Sequence, residues 1–217
     1  MVLNKNYISL GFQCTVVDVF KMLDVKKETL PFDWMLSNPE FVYKMLHLLI
    51  EKNMDIEELV KEHFFNCGSF VKFESAENFI ETEDGPDFYN KKYNVIFPHD
   101  KDYDNDVLKY IRRFNRLKAL ILDKSNELVF VYITPSSNLE GNFTINKNVV
   151  ITDTSKYINK IYELIDNISE NFKIVVLDTM DIQKEEKLNK NIYYESITPK
   201  SYFVSLKDDC HQKLINI

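Results

Sequence analysis

Hydrophobic residues fall along this chain in two alternating patterns, which predict strands and helices in turn. Continuous apolar runs rich in β-branched residues indicate buried strands, whereas apolar residues that recur every three or four positions indicate amphipathic helices. The clearest strand is Glu127–Thr134, whose apolar body is unbroken from Leu128 to Ile133. The first pattern also predicts strands at Tyr7–Leu10, Tyr93–Phe97, Val149–Thr152 and Lys173–Asp178, with short edge strands at Ile192–Tyr194 and Tyr202–Ser205.

Capping residues set several predicted helix boundaries. Ser37 as the cap, Pro39 in the first turn and Glu40 three residues after the cap form a capping box, which predicts a helix to about Lys52. The helices predicted in this way and from apolar spacing are Cys14–Leu23, Ser37–Lys52, Asp55–Phe65, Asn105–Leu122 and Ser155–Ile168. The acidic segment Glu74–Lys92 is predicted to be a loop or a weak hairpin.

Strands that alternate with helices predict a single α/β domain over residues 1–217. Because the strands are continuous apolar runs, we expect three layers, with a mostly parallel sheet that carries helices on both faces. Ligands bind beyond the carboxyl ends of the strands in such sheets. Chemically capable residues follow the predicted strands at 11–14, 99–100, 134–137 and 178.

Charge and cysteine content exclude several functional classes. A net charge of −7 disfavours nucleic-acid binding. The chain has no apolar run long enough to span a bilayer and no secretory signal at its start, so we expect a soluble, cytoplasmic protein without a membrane partner. Its three cysteines, Cys14, Cys67 and Cys210, are too widely spaced for a disulfide framework or a metal site. No nucleotide-binding motif is present, and we expect no cofactor.

Cys14 is the first candidate for chemistry, because it follows a strand and a glycine at the predicted start of a helix. A helix N-terminus stabilises an anion and favours the nucleophilic thiolate. Its backbone N–H groups can also receive an oxyanion, so we place Ser9, Gly11 and Gln13 in an anion-binding turn. The alternative is a buried structural cysteine.

His99 is the second candidate, because it lies in the turn after a predicted strand and directly precedes Asp100. An imidazole beside a carboxylate can serve as a general base. We expect Asp100, Asp33 or Asp178 to orient this imidazole. The alternative is an ordinary surface histidine.

Charged and aromatic residues complete the candidate set. Arg112, Arg113 and Arg116 are all the arginines of the chain, and their spacing places them with Lys109 on one helical face. Arginine grips carboxylates and phosphates with its planar fork, which predicts either an anionic ligand or an internal partner such as Asp33. Trp34 is expected near the substrate or as a core anchor.

Four motifs follow one another in the chain, at Ile8–Cys14, Pro31–Trp34, Phe97–Asp100 and Arg112–Arg116. Their sequences and order resemble an uncharacterised family described as putative papain-like cysteine peptidases. The resemblance covers Tyr7 to Thr134 and implies Cys14 as the nucleophile and His99 as the base. It also implies an alternative α+β fold, with a helical half and an antiparallel half. Gln13 departs from the asparagine that is frequent before the cysteine.

Three functional hypotheses follow from these residues. The first is a Cys–His hydrolase or acyl-transfer enzyme that acts on a small-molecule or peptide-like substrate. The second is a transferase or binding protein for a phosphorylated ligand, such as a nucleotide or nucleotide sugar, held by the arginines and the turn at 11–14. The third is a non-catalytic interaction domain whose arginines dock an acidic partner.

Overall fold

The structure is a computed structural model of the chain. It describes residues 3–11, 14–65, 70–72, 88–90, 93, 95–97, 99–100, 102–134, 153–178, 189–197 and 204–215. The predicted strand Val149–Thr152 and the candidate residue Gln13 lie outside the described residues, as do positions 135–137.

Four parallel strands form the main sheet, in the order β1-β5-β6-β7. They are β1 (Asn4–Ser9), β5 (Asn126–Ile133), β6 (Phe172–Asp178) and β7 (Ile192–Ser196). In register, Ser9 lies beside Val131, and Val131 lies beside Val175. The predicted α/β fold with a mostly parallel sheet is therefore confirmed, and the α+β alternative is not observed.

A second, antiparallel sheet has three short strands in the order β2-β3-β4. They are β2 (Phe70–Lys72), β3 (Phe88–Asn90) and β4 (Val95–Phe97). The strand predicted at Tyr93–Phe97 is thus present, but its assignment to the parallel sheet is wrong. Both sheets use apolar runs, and strand pairing depends on residues distant in sequence, so this pattern could not distinguish them.

Six helical segments accompany the sheets among the residues that the structure describes. They are α1 (Thr15–Met22), α2 (Pro39–Leu46, continued by a π-helical turn at His47–Glu51), α3 (Ile56–Glu58, continued by a π-helical turn at Leu59–Phe64), α4 (Tyr103–Leu122), α5 (Thr154–Asp166) and α6 (Val204–Ile215). The edge strand predicted at Tyr202–Ser205 is wrong at its described residues, which begin α6. A short apolar run fits either element, and only length distinguishes them. None of the described helices is both long enough and apolar enough to cross a membrane.

The N-cap of helix α2 lies one residue after the cap that the sequence predicted. Asn38, and not Ser37, is the N-cap, and its Oδ1 accepts a hydrogen bond from the backbone N–H of Phe41 at 2.9 Å. Ser37 is buried beside the turn that precedes α1. Asp55 caps α3 as predicted, since its side chain accepts from the N–H groups of Glu57 and Glu58.

Alternate side chains of the central strand β5 belong to two hydrophobic clusters. Leu128, Phe130 and Tyr132 join the larger cluster, to which α2, α4 and α5 contribute. Val129, Val131 and Ile133 join the smaller one, to which α1 and α6 contribute. This alternation follows from the two-residue period of a strand. It explains why the strand is apolar at every position of its body.

Candidate active site

The end of β1 and Gly11 are held by contacts with the rest of the protein. The Leu10 N–H donates to the carbonyl of Val131 at 2.8 Å, which holds the end of β1 on β5. Gly11 follows with φ of +86°, a conformation that side chains with a Cβ rarely adopt. A Cβ on Gly11 would lie 2.0 Å from the Ser37 Oγ, so the turn has no room for one.

Ser9 supports this turn from inside the protein. Its side chain is fully buried, and its Oγ accepts a hydrogen bond from the Gly11 N–H at 3.1 Å. The role predicted for Ser9 and Gly11 in binding an anion stays a prediction. Both residues shape the backbone that leads to Cys14.

Cys14 lies at the N-cap of α1 and is partly exposed. Its carbonyl accepts the first hydrogen bond of the helix, from the Asp18 N–H at 3.0 Å. The N–H groups of a helix's first turn have no partner within the helix, and the helix dipole favours negative charge there. The sulfur therefore occupies a position that suits a thiolate.

His99 meets Cys14 from a segment 85 residues further along the chain. The Cys14 Sγ and the His99 Nε2 are 3.5 Å apart. His99 follows β4, and its side chain is exposed. The two residues singled out in the sequence are thus brought together, although β4 belongs to the antiparallel sheet and not to the parallel one.

Trp34 packs against the same imidazole. Its ring meets that of His99 edge to face, with 5.7 Å between the ring centroids and an interplanar angle of 89°. The Nζ of Lys21, on α1, lies 4.3 Å from the centroid of the indole ring. Trp34 is half-buried and belongs to the site as well as to the packing around it.

Among the described residues, no group of His, Cys, Asp or Glu side chains could hold a metal ion.

The comparisons with known proteins agree with the motifs of the sequence. Residues 5–177 match the model of a family described as "Putative papain-like cysteine peptidase". The chain belongs to this family. An uncharacterized protein of Acanthamoeba polyphaga mimivirus is 26% identical over 226 residues, which span 85% of this chain and 94% of that protein. No solved structure shows a significant match.

In this member of the family, Asp100 pairs with side chains of α4 and not with the imidazole that it was expected to orient. Its buried carboxylate accepts from the Lys109 ammonium and from the Tyr110 hydroxyl, the latter at 2.7 Å. Asp178 accepts from the Thr134 hydroxyl at 3.2 Å. Within the described residues, the partners of His99 are Cys14 and Trp34 and include no carboxylate.

Asp33 is buried in the connector that carries Trp34, and its main partner is a lysine. The carboxylate pairs with Lys26 and accepts from the Leu30 N–H at 2.6 Å. Burial raises the pKa of the Asp33 carboxyl and lowers that of the Lys26 ammonium, and the attraction between the two charges opposes both shifts. Asp33 therefore fixes the connector and does not reach His99, contrary to one of the predicted roles.

The arginines of α4 have different contacts. Arg116 pairs with Glu28, with 3.4 Å between Nε and Oε2. The guanidinium of Arg113 lies 4.8 Å from the centroid of the Tyr110 ring, and its charge lowers the pKa of the Asp33 carboxyl less than Lys26 does. Arg112 is exposed. Glu28 is thus an internal anionic partner of Arg116, and an anionic ligand for the cluster stays a prediction.

Two residues near the site, Lys21 and Tyr110, were not among the candidates predicted from the sequence. Lys21 lies seven residues after Cys14, two helical turns along α1, and this spacing is a weak signal for one face. Tyr110 lies three residues after Val107 and four before Phe114, so the apolar stripe of α4 includes it. Its polar hydroxyl on a buried stripe was the available sign of a buried hydrogen bond.

Proposed function

We propose that this protein is a cysteine-dependent hydrolase or acyl-transfer enzyme in which Cys14 is the nucleophile and His99 is the general base. The observation that carries the proposal is the 3.5 Å approach of the Cys14 Sγ to the His99 Nε2, at the start of a helix. A thiol beside an imidazole and a helix N-terminus is the arrangement that activates a cysteine for attack on a carbonyl.

The chemistry balances with these two residues and water. His99 takes the thiol proton, the Cys14 sulfur bonds to the substrate carbonyl carbon, and the bond from that carbon to the leaving group breaks. The leaving group departs with the proton that His99 held. Water, or an acyl acceptor, then attacks the thioester carbon and gives its proton to His99. The carbon–sulfur bond breaks, and His99 returns that proton to the Cys14 sulfur. The N–H groups at the start of α1 support the oxyanion that forms in each step.

The exposure of the pair favours a substrate that approaches from solvent. His99 is exposed, Cys14 is partly exposed, and the half-buried Trp34 ring adjoins the imidazole. An aromatic wall beside a nucleophile suits a peptide-like or other acyl substrate with an apolar part. The divergent contacts of the arginines give no comparable support to a phosphorylated ligand.

Thiol labelling tests the proposal directly. In the native protein near pH 7, we expect iodoacetamide to modify Cys14 at least tenfold faster than Cys67 or Cys210. As the pH is raised, the labelling rate at Cys14 should reach half its maximum below pH ~8.5, which is the pKa of an ordinary thiol. His99→Ala should slow the reaction at least tenfold, because a positioned general base typically contributes about 10²–10⁴-fold. His47→Ala, which removes a half-buried histidine of α2, is the matched control and should change nothing.

A model ester completes the test. p-Nitrophenyl acetate should give a burst of p-nitrophenol equal to the enzyme concentration, and Cys14→Ala should abolish it. Equal labelling rates at all three cysteines, or a rate at Cys14 that is indifferent to His99→Ala, would refute the enzymatic function. The binding protein for a phosphorylated ligand and the interaction domain would then be the remaining hypotheses.

A further inference from the structure

The geometry points to Tyr110 and Lys109 of α4 as positioning residues for His99, acting through the carboxylate of Asp100. Their importance for catalysis rests on the proposed function above. Their effect on the place of the imidazole does not, and it can be measured separately.

The contacts of the His99 imidazole ring do not by themselves hold this residue in place. The side chain is exposed, and its described contacts are the Cys14 sulfur and the edge-to-face packing against Trp34. Neither contact fixes the backbone of the turn. An exposed side chain stays in place only if the backbone that carries it is held.

Asp100 supplies that hold, one residue after His99. Its N–H donates to the Phe97 carbonyl at 3.3 Å, which closes the turn after β4. Its carboxylate is 2% exposed, and each oxygen has its own donor, Lys109 on Oδ1 and Tyr110 on Oδ2. A buried carboxylate that loses a donor pays a desolvation penalty, so these two bonds strongly favour this position of the turn.

Lys109 links the two ends of the segment that runs from Asp100 to Asp106. Besides Asp100, it pairs with Asp106, whose Oδ2 accepts from the Asp102 N–H at 3.0 Å. The residues that lead from His99 into α4 are therefore anchored to the first turns of that helix. A shift of the His99 turn would break contacts at both of its ends.

Tyr110 is itself immobilised. Its side chain is fully buried, with the Phe64 ring centroid at 4.5 Å and the Arg113 guanidinium at 4.8 Å. Burial and the nearby Asp100 charge raise the pKa of its hydroxyl well above the usual range. The phenol consequently keeps its proton and remains a donor to Asp100 under all working conditions.

Trp34 makes the position of His99 measurable, because it is the sole tryptophan and its ring packs on the imidazole. Protonated imidazole quenches indole emission more strongly than neutral imidazole does. The step is the change in indole emission between pH 5 and pH 8 that His99→Ala removes. The experiment uses Cys14→Ser as its background, so that the thiol does not contribute to it.

In this background, we expect Tyr110→Phe to reduce the amplitude of the step at least twofold, because the freed turn moves the imidazole away from the indole. Lys109→Met should act in the same direction and serves as the second variant if the first folds poorly. Tyr162→Phe is the matched control, since it removes a tyrosine hydroxyl that bonds Asp166 at 3.3 Å on α5. The control should keep the full step, even if its thermal midpoint falls as much.

An unchanged step in both folded Tyr110→Phe and Lys109→Met would overturn the inference, as would an equal loss in Tyr162→Phe. The catalytic part is read from iodoacetamide labelling in the Cys14 protein, where Tyr110→Phe should slow the reaction at least fivefold at pH 7. A reduced fluorescence step, together with labelling of Cys14 that is slow in every variant, would support the positioning and contradict the proposed function.

Discussion

At the scale of single residues, the site depends on a glycine that takes no part in chemistry. Gly11 turns the chain with a positive φ and leaves space for the Ser37 side chain. Cys14 follows three residues later, so any change of this turn moves the sulfur relative to His99. Both chemical residues were predictable because they follow strand ends marked by glycine or proline. The partners of Asp100 and Asp33 were not, since a sequence does not show where side chains point.

Gly11→Ala should therefore destabilise the protein by about 2 kcal/mol or more, because the left-handed conformation alone costs a residue with a Cβ roughly 1–3 kcal/mol. The new methyl group would also meet the Ser37 Oγ. Urea denaturation measures the change. In a double-mutant cycle, Ser37→Ala should recover part of the loss caused by Gly11→Ala. A loss that is the same with serine or alanine at position 37 would contradict the steric explanation.

At the scale of elements, the helices and the parallel strands were largely predictable, because apolar spacing and caps are local signals. The antiparallel strands β2, β3 and β4 have three residues each, too few for a pattern that distinguishes one sheet from another. Even at α2 the cap was predicted one residue too early. Asn38 prevailed over Ser37 as the cap because its amide also donates to the Tyr93 carbonyl, at 3.0 Å.

Asn38→Ala should cost about 1–2 kcal/mol of stability, because it removes the cap of α2 and the tie to Tyr93 together. Asn38→Asp keeps the oxygen that accepts from Phe41 and removes the NH₂ donor, so its loss should be the smaller one. Thermal and urea unfolding of the two variants give the comparison. Equal losses would mean that the tie to Tyr93, and not the cap, sets the stability of this helix start.

At the scale of the whole molecule, two fully buried tyrosines link stability to alkaline pH. Burial raises the pKa of both the Tyr110 and the Tyr132 hydroxyls. In the unfolded chain these groups lose their protons near pH ~10, while in the folded protein they keep them. The folded state thus binds more protons above that pH, and its stability falls as the pH rises.

Stability should accordingly decrease by up to about 1.4 kcal/mol per pH unit for each of these tyrosines above pH ~10, and neither should contribute below pH ~9. Tyr132→Phe should reduce the slope by up to that amount. Urea unfolding between pH 8 and 11 measures it. Tyr193→Phe, which alters a side chain on β7 that is 45% exposed, is the control and should keep the wild-type slope. A slope untouched by Tyr132→Phe would contradict the linkage.

The order of the strands in the main sheet has a consequence for biosynthesis. Within the described part of the chain β1 pairs with β5 alone, and the Asn6 and Asn126 side chains that bond across them are 120 residues apart. On the ribosome, the first strand waits without its neighbour until more than half of the chain has emerged. Contacts so remote in sequence are slow to form, because a long loop must close first. The segment that carries Cys14 after β1 therefore reaches its folded position late, once β5 has been synthesised.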